Sequence, residues 1–222
     1  MINHHPNRTQ LNQFVEGTLP PAVSLIISAH ADMCPKCRHD IEILQAEMSK
    51  KMLSEDSLSN HCDFGNMMND IMELPSLDKQ IKVESVVEKT LELDGKYFKL
   101  PRALHRFSDR TSGWSHLVGK LWQTQVDIGG DLKAHFIYME KGGQVPEHTH
   151  RGNEYTLVID GEFSDGLGTY DTGDLMLMNQ HKHSPRADTD EGCLVFSLLD
   201  QPLHFTSGLA RMLNPFSHLF FK

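Results

Sequence analysis

Gly142-Gly-Gln-Val-Pro-Glu-His148-Thr-His150-Arg-Gly-Asn-Glu154-Tyr-Thr-Leu-Val-Ile-Asp-Gly161 decides how the second half of this 222-residue chain folds. Its fixed points are a glycine, a His-x-His pair, a glutamate four residues after the second histidine, and a closing glycine. Residues two apart on a strand point to one face, so His148 and His150 look the same way. The three residues after them form a turn from which Glu154 re-enters on that side, and Gly161 makes the next hairpin. Imidazoles and a carboxylate gathered in this way suit zinc, iron, manganese, nickel or copper.

Around this stretch the chain is written in short runs rich in β-branched and aromatic residues. Ala134–Met139, Tyr155–Ile159, Leu175–Met178 and Cys193–Leu199 are separated by turn signals at Gly129-Gly130, Gly142-Gly143, Asp160-Gly161 and Gly173-Asp174. That pattern predicts an all-β sandwich or barrel. The first 75 or so residues follow helical spacing instead. Thr9 is a candidate cap for a segment carrying Leu11, Phe14 and Val15 that ends at Gly17. Pro20-Pro21 opens a second helix and Cys34-Pro35 a third, because proline suits the first helical turn. A fourth runs from about Gly65 to Leu74, where Pro75 stops it. Short helices with short joints predict a small bundle. Ser76 to about Phe98 is polar and charged, with Val83, Val86 and Val87 its main apolar residues, and reads as a tether. The expected organisation is a helical domain over 1–85, a linker over 86–98 and a β-domain over 99–222.

Composition narrows the function classes. Apolar residues are 39% and charged residues 23% of the chain, an ordinary globular balance. The longest apolar run, Ala22 to Ala29, is far shorter than the ~20 residues of a membrane-spanning helix, so no membrane role is expected. The opening MINHHPNRTQ lacks the basic-then-apolar layout of a signal peptide, so a cytoplasmic location is expected. A net charge of −9 argues against direct nucleic-acid binding, which calls for a basic face. Four cysteines do not make a disulfide scaffold. Fourteen histidines direct attention to metals.

A second constellation lies at His30-Ala-Asp-Met-Cys34-Pro-Lys-Cys37. Positions three and four apart share a helix face. The end of one helix and the start of the next can therefore aim all three side chains at one point. The helix dipole at Cys34 favours a thiolate. Zinc takes four tetrahedral nitrogen or sulfur ligands, so one more is needed. His4-His5 is the obvious supply, with His39 and Cys62 in reserve. A thioredoxin-like dithiol is the rival reading, but that motif belongs between a strand and a helix, and both flanks here are helical.

The helical half resembles the zinc-binding anti-sigma domains of bacterial regulators, which hold an extracytoplasmic-function sigma factor away from RNA polymerase. The resemblance implies that His5, in preference to His4, completes the zinc set with His30, Cys34 and Cys37. It also implies that the fourth helix, with Met67, Met68, Ile71 and Met72, lies against the sigma factor. The same four residues read equally well as bundle core. The acidic balance of residues 1–85 suits a partner with basic DNA-binding surfaces.

The stretch 142–161 is similar to the first motif of the cupins at every fixed position, which implies a cupin barrel (double-stranded β-helix). The second cupin motif opens at Gly173-Asp174 but has Asn179 and His181 where proline and glycine are usual. Its histidine is His181 or His183. His183 is preferred because it directly precedes Ser-Pro where the barrel strand should re-enter. The implied barrel ligands are His148, His150, Glu154 and His183, for zinc or another divalent transition metal.

Taken whole, including Arg211-Met-Leu-Asn-Pro-Phe216 near the C-terminus, the chain resembles the ChrR-type anti-sigma factors. These implications describe a non-enzymatic regulator that binds one sigma factor, in a 1:1 complex, and inhibits transcription. It would release its partner on an oxidative signal, such as singlet oxygen, received by the barrel. Oxidation of Cys62, Cys193 or a methionine, or a disulfide between Cys34 and Cys37, are candidate routes. The rival from another class is a metal-dependent cupin enzyme of dioxygenase or isomerase type with a helical appendage.

Overall fold

Asn7 starts the first helix, α1 (Arg8–Glu16), through a reciprocal capping box. The Gln10 amide donates to Asn7 Oδ1 and the Asn7 amide to Gln10 Oε1, both at 2.9 Å. The cap thus lies two residues earlier than Thr9, because Gln10 three residues on can return the bond. Proline at the first turn opens α2 (Pro21–Met33), which buries Val23, Ile26, Ile27, Ala29 and His30. The chain turns at Cys34 into α3 (Pro35–Ser54), and α4 spans Phe64–Glu73. The structure, a computed structural model, describes residues 1–54, 64–75, 88–117, 120–130, 132–150, 152–178, 182–201 and 203–206.

The stretch 86–98, expected as a tether, carries a hairpin of β1 (Thr90–Leu93) and β2 (Lys96–Lys99). Asp94 and Gly95, both at positive φ, make its two-residue turn, the twist-matched connection for antiparallel strands. A 3-10 helix over Arg102–Arg110 follows. Among the described residues nine further strands follow: β3 (Ser115–Leu117), β4 (Leu121–Val126), β5 (Lys133–Met139), β6 (His148–Thr149), β7 (Glu154–Ser164), β8 (Thr169–Asp171), β9 (Leu175–Met178), β10 (Cys193–Leu199) and β11 (His204–Phe205). The main sheet runs β3-β4-β5-β10-β7-β8, with β9 also on β7 and a separate β11-β6 pair. All these pairs are antiparallel. The four strand-like runs read from the sequence become β5, β7, β9 and β10. The chain therefore joins a helical N-terminal region to a C-terminal antiparallel barrel of the expected class.

One turn signal was misplaced. Gly161 does not close a hairpin but lies inside β7, opposite Cys193 and two residues past Ile159, where the β7–β10 register shifts. Its φ of +83° and the nearby Gly192 carbonyl leave no room for a side chain. Before this point β7 pairs with β9, and after it with β8.

Strand β10 is buried at every position, as expected of a strand covered on both faces. Phe136 and Phe196 are cross-strand partners with ring centroids 5.1 Å apart, and neither is exposed. By contacts the chain divides into two compact units, Met1–Ile41 with Glu88–Lys222, and Glu42–Val87. The first two helices and the start of α3 thus belong to the same unit as the barrel. Within it α2 packs on the 3-10 helix and β7, and Asp32 Oδ2 accepts from the Ala103 amide at 2.8 Å.

Candidate metal centres

His5, His30, Cys34 and Cys37 converge so that one donor atom from each lies within 4.8 Å of the others. His30 leaves the last turn of α2, Cys34 occupies the joint and Cys37 the first turn of α3. His30 Nε2 is 3.3 Å from Cys37 Sγ and 3.5 Å from His5 Nδ1. His5 Nδ1 is also 3.5 Å from each sulfur. A tetrahedron with metal–nitrogen bonds of about 2.0–2.1 Å and metal–sulfur bonds of about 2.3 Å has edges of about 3.3–3.8 Å. The residues therefore fit a four-coordinate zinc ion.

Electrostatics favours an ion there. Burial, followed by the neighbouring Cys34, pushes the Cys37 thiol up to about 12, so two adjacent thiolates need a cation. Burial holds His30 down at about 4, leaving it neutral with a lone pair to give. Its Nδ1 donates to the Gly173 carbonyl at 2.8 Å, which fixes the tautomer and points Nε2 at the cysteines. His5 is preferred over His4 because His4 Nδ1 turns to Asp174 instead. His39 is exposed, and Cys62 lies outside the described residues.

The second group is His148, His150, Glu154 and His183, all buried and again within 4.8 Å. His148 sits on β6, bridged by paired backbone hydrogen bonds of 3.1 Å to His183, and Glu154 begins β7. His150 Nε2 lies 2.8 Å from His183 Nε2 and 2.9 Å from Glu154 Oε2. Facing lone pairs at such spacing require a proton or a cation among them. Burial lowers His148 to about 4 and also lowers His183. Burial alone would raise Glu154, but the hydrogen bond and charge of His150 outweigh it and bring the carboxyl down to about 2. Neutral His148 and His183 beside an ionised Glu154 are in the form that binds a metal. His181 and Asn179 lie outside the described residues, as does Arg211–Phe216.

The residues behind these ligands were not read from the sequence. His148 Nδ1 donates to the Pro146 carbonyl at 2.8 Å. Thr156 and Ser197 hydroxyls donate to Glu154 Oε1 at 2.9 and 2.8 Å, leaving Oε2 toward the histidines. Asp165 Oδ2 lies 3.5 Å from His183 Nδ1 and accepts from the Tyr170 hydroxyl. The one signal available was alternation along β7, which puts Thr156 on the face of Glu154. Beside the ligands is an apolar cavity of about 100 Å³, with Leu121, Ile137, Met139, Phe163, Val195 and Phe205 among its walls.

Met67, Met68, Ile71 and Met72 form one stripe on α4 and are 53–80% exposed, so they are not core. Cys193 is buried, and burial with nearby Asp160 pushes its thiol upward, which makes it an inert rather than reactive cysteine. Among the described residues no helix is long and apolar enough to cross a membrane.

Residues 128–202 match the family described as the ChrR cupin-like domain. The chain is 29% identical over 229 aligned positions to the anti-sigma-E factor ChrR of Cereibacter sphaeroides, covering 97% of this chain and 98% of that protein. The crystal structure of Rhodobacter sphaeroides SigE in complex with the anti-sigma ChrR contains a chain of the same fold. The TM-score is 0.68 at 24% identity, covering 90% of this chain and all of that one.

Proposed function

We propose that this chain is a cytoplasmic anti-sigma factor, a regulator rather than an enzyme. Residues 1–85 sequester one extracytoplasmic-function sigma factor in a 1:1 complex and inhibit transcription, while the barrel receives the signal that releases it. The observation that carries this reading is the match to an anti-sigma factor along nearly the whole chain, helical and barrel halves together. An enzyme built on the barrel would not call for the helical centre.

Zinc at His5, His30, Cys34 and Cys37 would supply a structural cross-link. The chain's own residues align the N-terminal segment, the α2–α3 joint and the neutral His30 tautomer around it. His148, His150, Glu154 and His183 would hold zinc or another divalent transition metal in the barrel. The exposed methionine stripe of α4 is an adaptable apolar surface of the kind that binds a partner. An oxidative signal, singlet oxygen among the candidates, would act on the barrel. To move the partner from mostly bound to mostly free, it must change the relative stability of the two states by about 5 kcal/mol.

Capture from the native bacterium by tagged full-length chain, by residues 1–85 and by a Cys34→Ser, Cys37→Ser double variant tests the reading. One sigma factor recovered by the first two and not by the third supports it. A folded, metal-loaded chain that recovers no sigma factor overturns it. Metal-dependent turnover by residues 99–222 would then favour the enzyme. Met68→Asp with Met72→Asp on α4 should weaken capture at least 10-fold with metal content and unfolding temperature unchanged.

A further inference from the structure

Asp174 is a fully buried carboxylate on the barrel, at the turn between β8 and β9, yet most of its partners are the first residues of the chain. Its Oδ1 accepts from the Asn3 amide at 2.6 Å and the His4 amide at 2.9 Å. Its Oδ2 accepts from the Asp171 amide at 2.9 Å and lies 3.3 Å from His4 Nδ1. On either side the same turn grips the helical region. The Leu175 amide donates to the His4 carbonyl at 3.1 Å, while the Gly173 carbonyl takes the His30 imidazole. Ile2 lies where a side chain on Gly173 would go. The His4 ring also rests against Tyr170, with centroids 4.8 Å apart.

His4 is therefore fixed through its amide, its carbonyl and its ring, and the next residue is His5. A ligand on an untethered segment pays the full entropy of ordering that segment when a metal binds. A segment clamped beforehand has already lost it. Groups behind a metal ligand commonly change affinity 10–100-fold when removed. We propose that Asp174 is a positioning residue for the helical metal centre, holding His5 in place from the barrel while the adjacent Gly173 carbonyl orients His30. The barrel then tightens metal binding at a centre to which it donates no ligand. This rests on the proposed occupancy of His5, His30, Cys34 and Cys37, and not on sigma-factor binding.

The test uses the full chain loaded with cobalt(II). Of the two centres, the helical one carries thiolates, at Cys34 and Cys37, and gives thiolate-to-cobalt charge transfer, whereas the barrel centre offers nitrogen and oxygen donors, so the two are read separately in one sample. Affinity at each is measured by competition with a chelator. Asp174→Ala is expected to weaken the thiolate centre 10–100-fold and Asp174→Asn less, with barrel affinity unchanged. His4→Phe keeps a ring against Tyr170 but loses Nδ1, and should weaken the thiolate centre several-fold. Parallel weakening of both centres in Asp174→Asn and His4→Phe would show a merely structural role and overturn the inference. Wild-type thiolate-centre affinity in the Asp174 variants would overturn it as well. Absence of the thiolate band in the unaltered protein would remove the metal centre itself, which is a separate failure.

Discussion

The Ser197 hydroxyl on β10 donates to Glu154 Oε1 on β7 across 2.8 Å, joining residues 43 positions apart in the chain. With Thr156 it occupies one carboxylate oxygen and leaves the other for the histidines. Ser197→Ala should lower metal affinity at the barrel centre by about 10-fold. Equilibrium competition with a chelator would show it, with the helical centre as the unchanged reference.

His183 and not His181 is expected to complete the barrel set. His183→Ala should lower bound metal by one ion per chain, while His181→Ala should leave the content intact. Elemental analysis of the two purified variants separates them, and the opposite result would move the ligand to His181.

Cys34→Ser with Cys37→Ser should likewise remove one ion, this time from the helical centre. Structural zinc of this type contributes about 10–16 kcal/mol of apparent binding free energy in small peptides. The variant should therefore show faster proteolysis near the α2–α3 joint than the metal-loaded protein, with the barrel fragment persisting.

Burial holds His30, His135 and His148 down at about 4 in the folded chain, against an ordinary value near 6.5. Between those values the unfolded chain takes up protons that the folded chain refuses. The stability these groups contribute to the metal-free protein should be full above pH ~6.5, fall as pH drops toward ~4, and be gone below that. Each of these groups contributes on the order of 3 kcal/mol to the change. Urea denaturation across this range should show a shallower fall for His135→Gln, which lacks the titrating ring. An equal slope would contradict the assignment.

Phe136→Ala should cost about 3–5 kcal/mol, because it opens a cavity against Phe196 in a core strand pair covered on both faces. Denaturant midpoints would measure this, with the unfolding slope unchanged.

Much of the candidate site was legible because metal ligands are placed by short-range geometry. His-x-His on a strand and Cys-x-x-Cys on a helix turn aim their side chains together whatever the rest of the chain does. The third and fourth strand-like runs were equally plain, as β9 is a short apolar run and β10 is apolar but for Ser197. Other features misled. Gly161 looked like a hairpin glycine, but it lies inside β7 opposite Cys193, and the Gly192 carbonyl that leaves it no side chain comes from a distant part of the chain. The polar stretch before Phe98 looked like a tether because β1 and β2 are only four residues each, with buried positions at Leu91, Leu93 and Phe98 set among polar ones.

By itself the sequence pointed to most of the candidate metal ligands, indicated that the first part is helical and the second all-β, and held no apolar run long enough for a membrane-spanning helix. Only tertiary structure decided which groups stand behind the ligands: Asp174 and Gly173 for the helical centre, Thr156 and Ser197 for Glu154. It also decided that the first two helices join the barrel in one compact unit. The physical reason is range. Periodicity and motif spacing record interactions within a turn or a strand, whereas Asp174 meets His4 across 170 positions, through a fold that must exist before the two can touch.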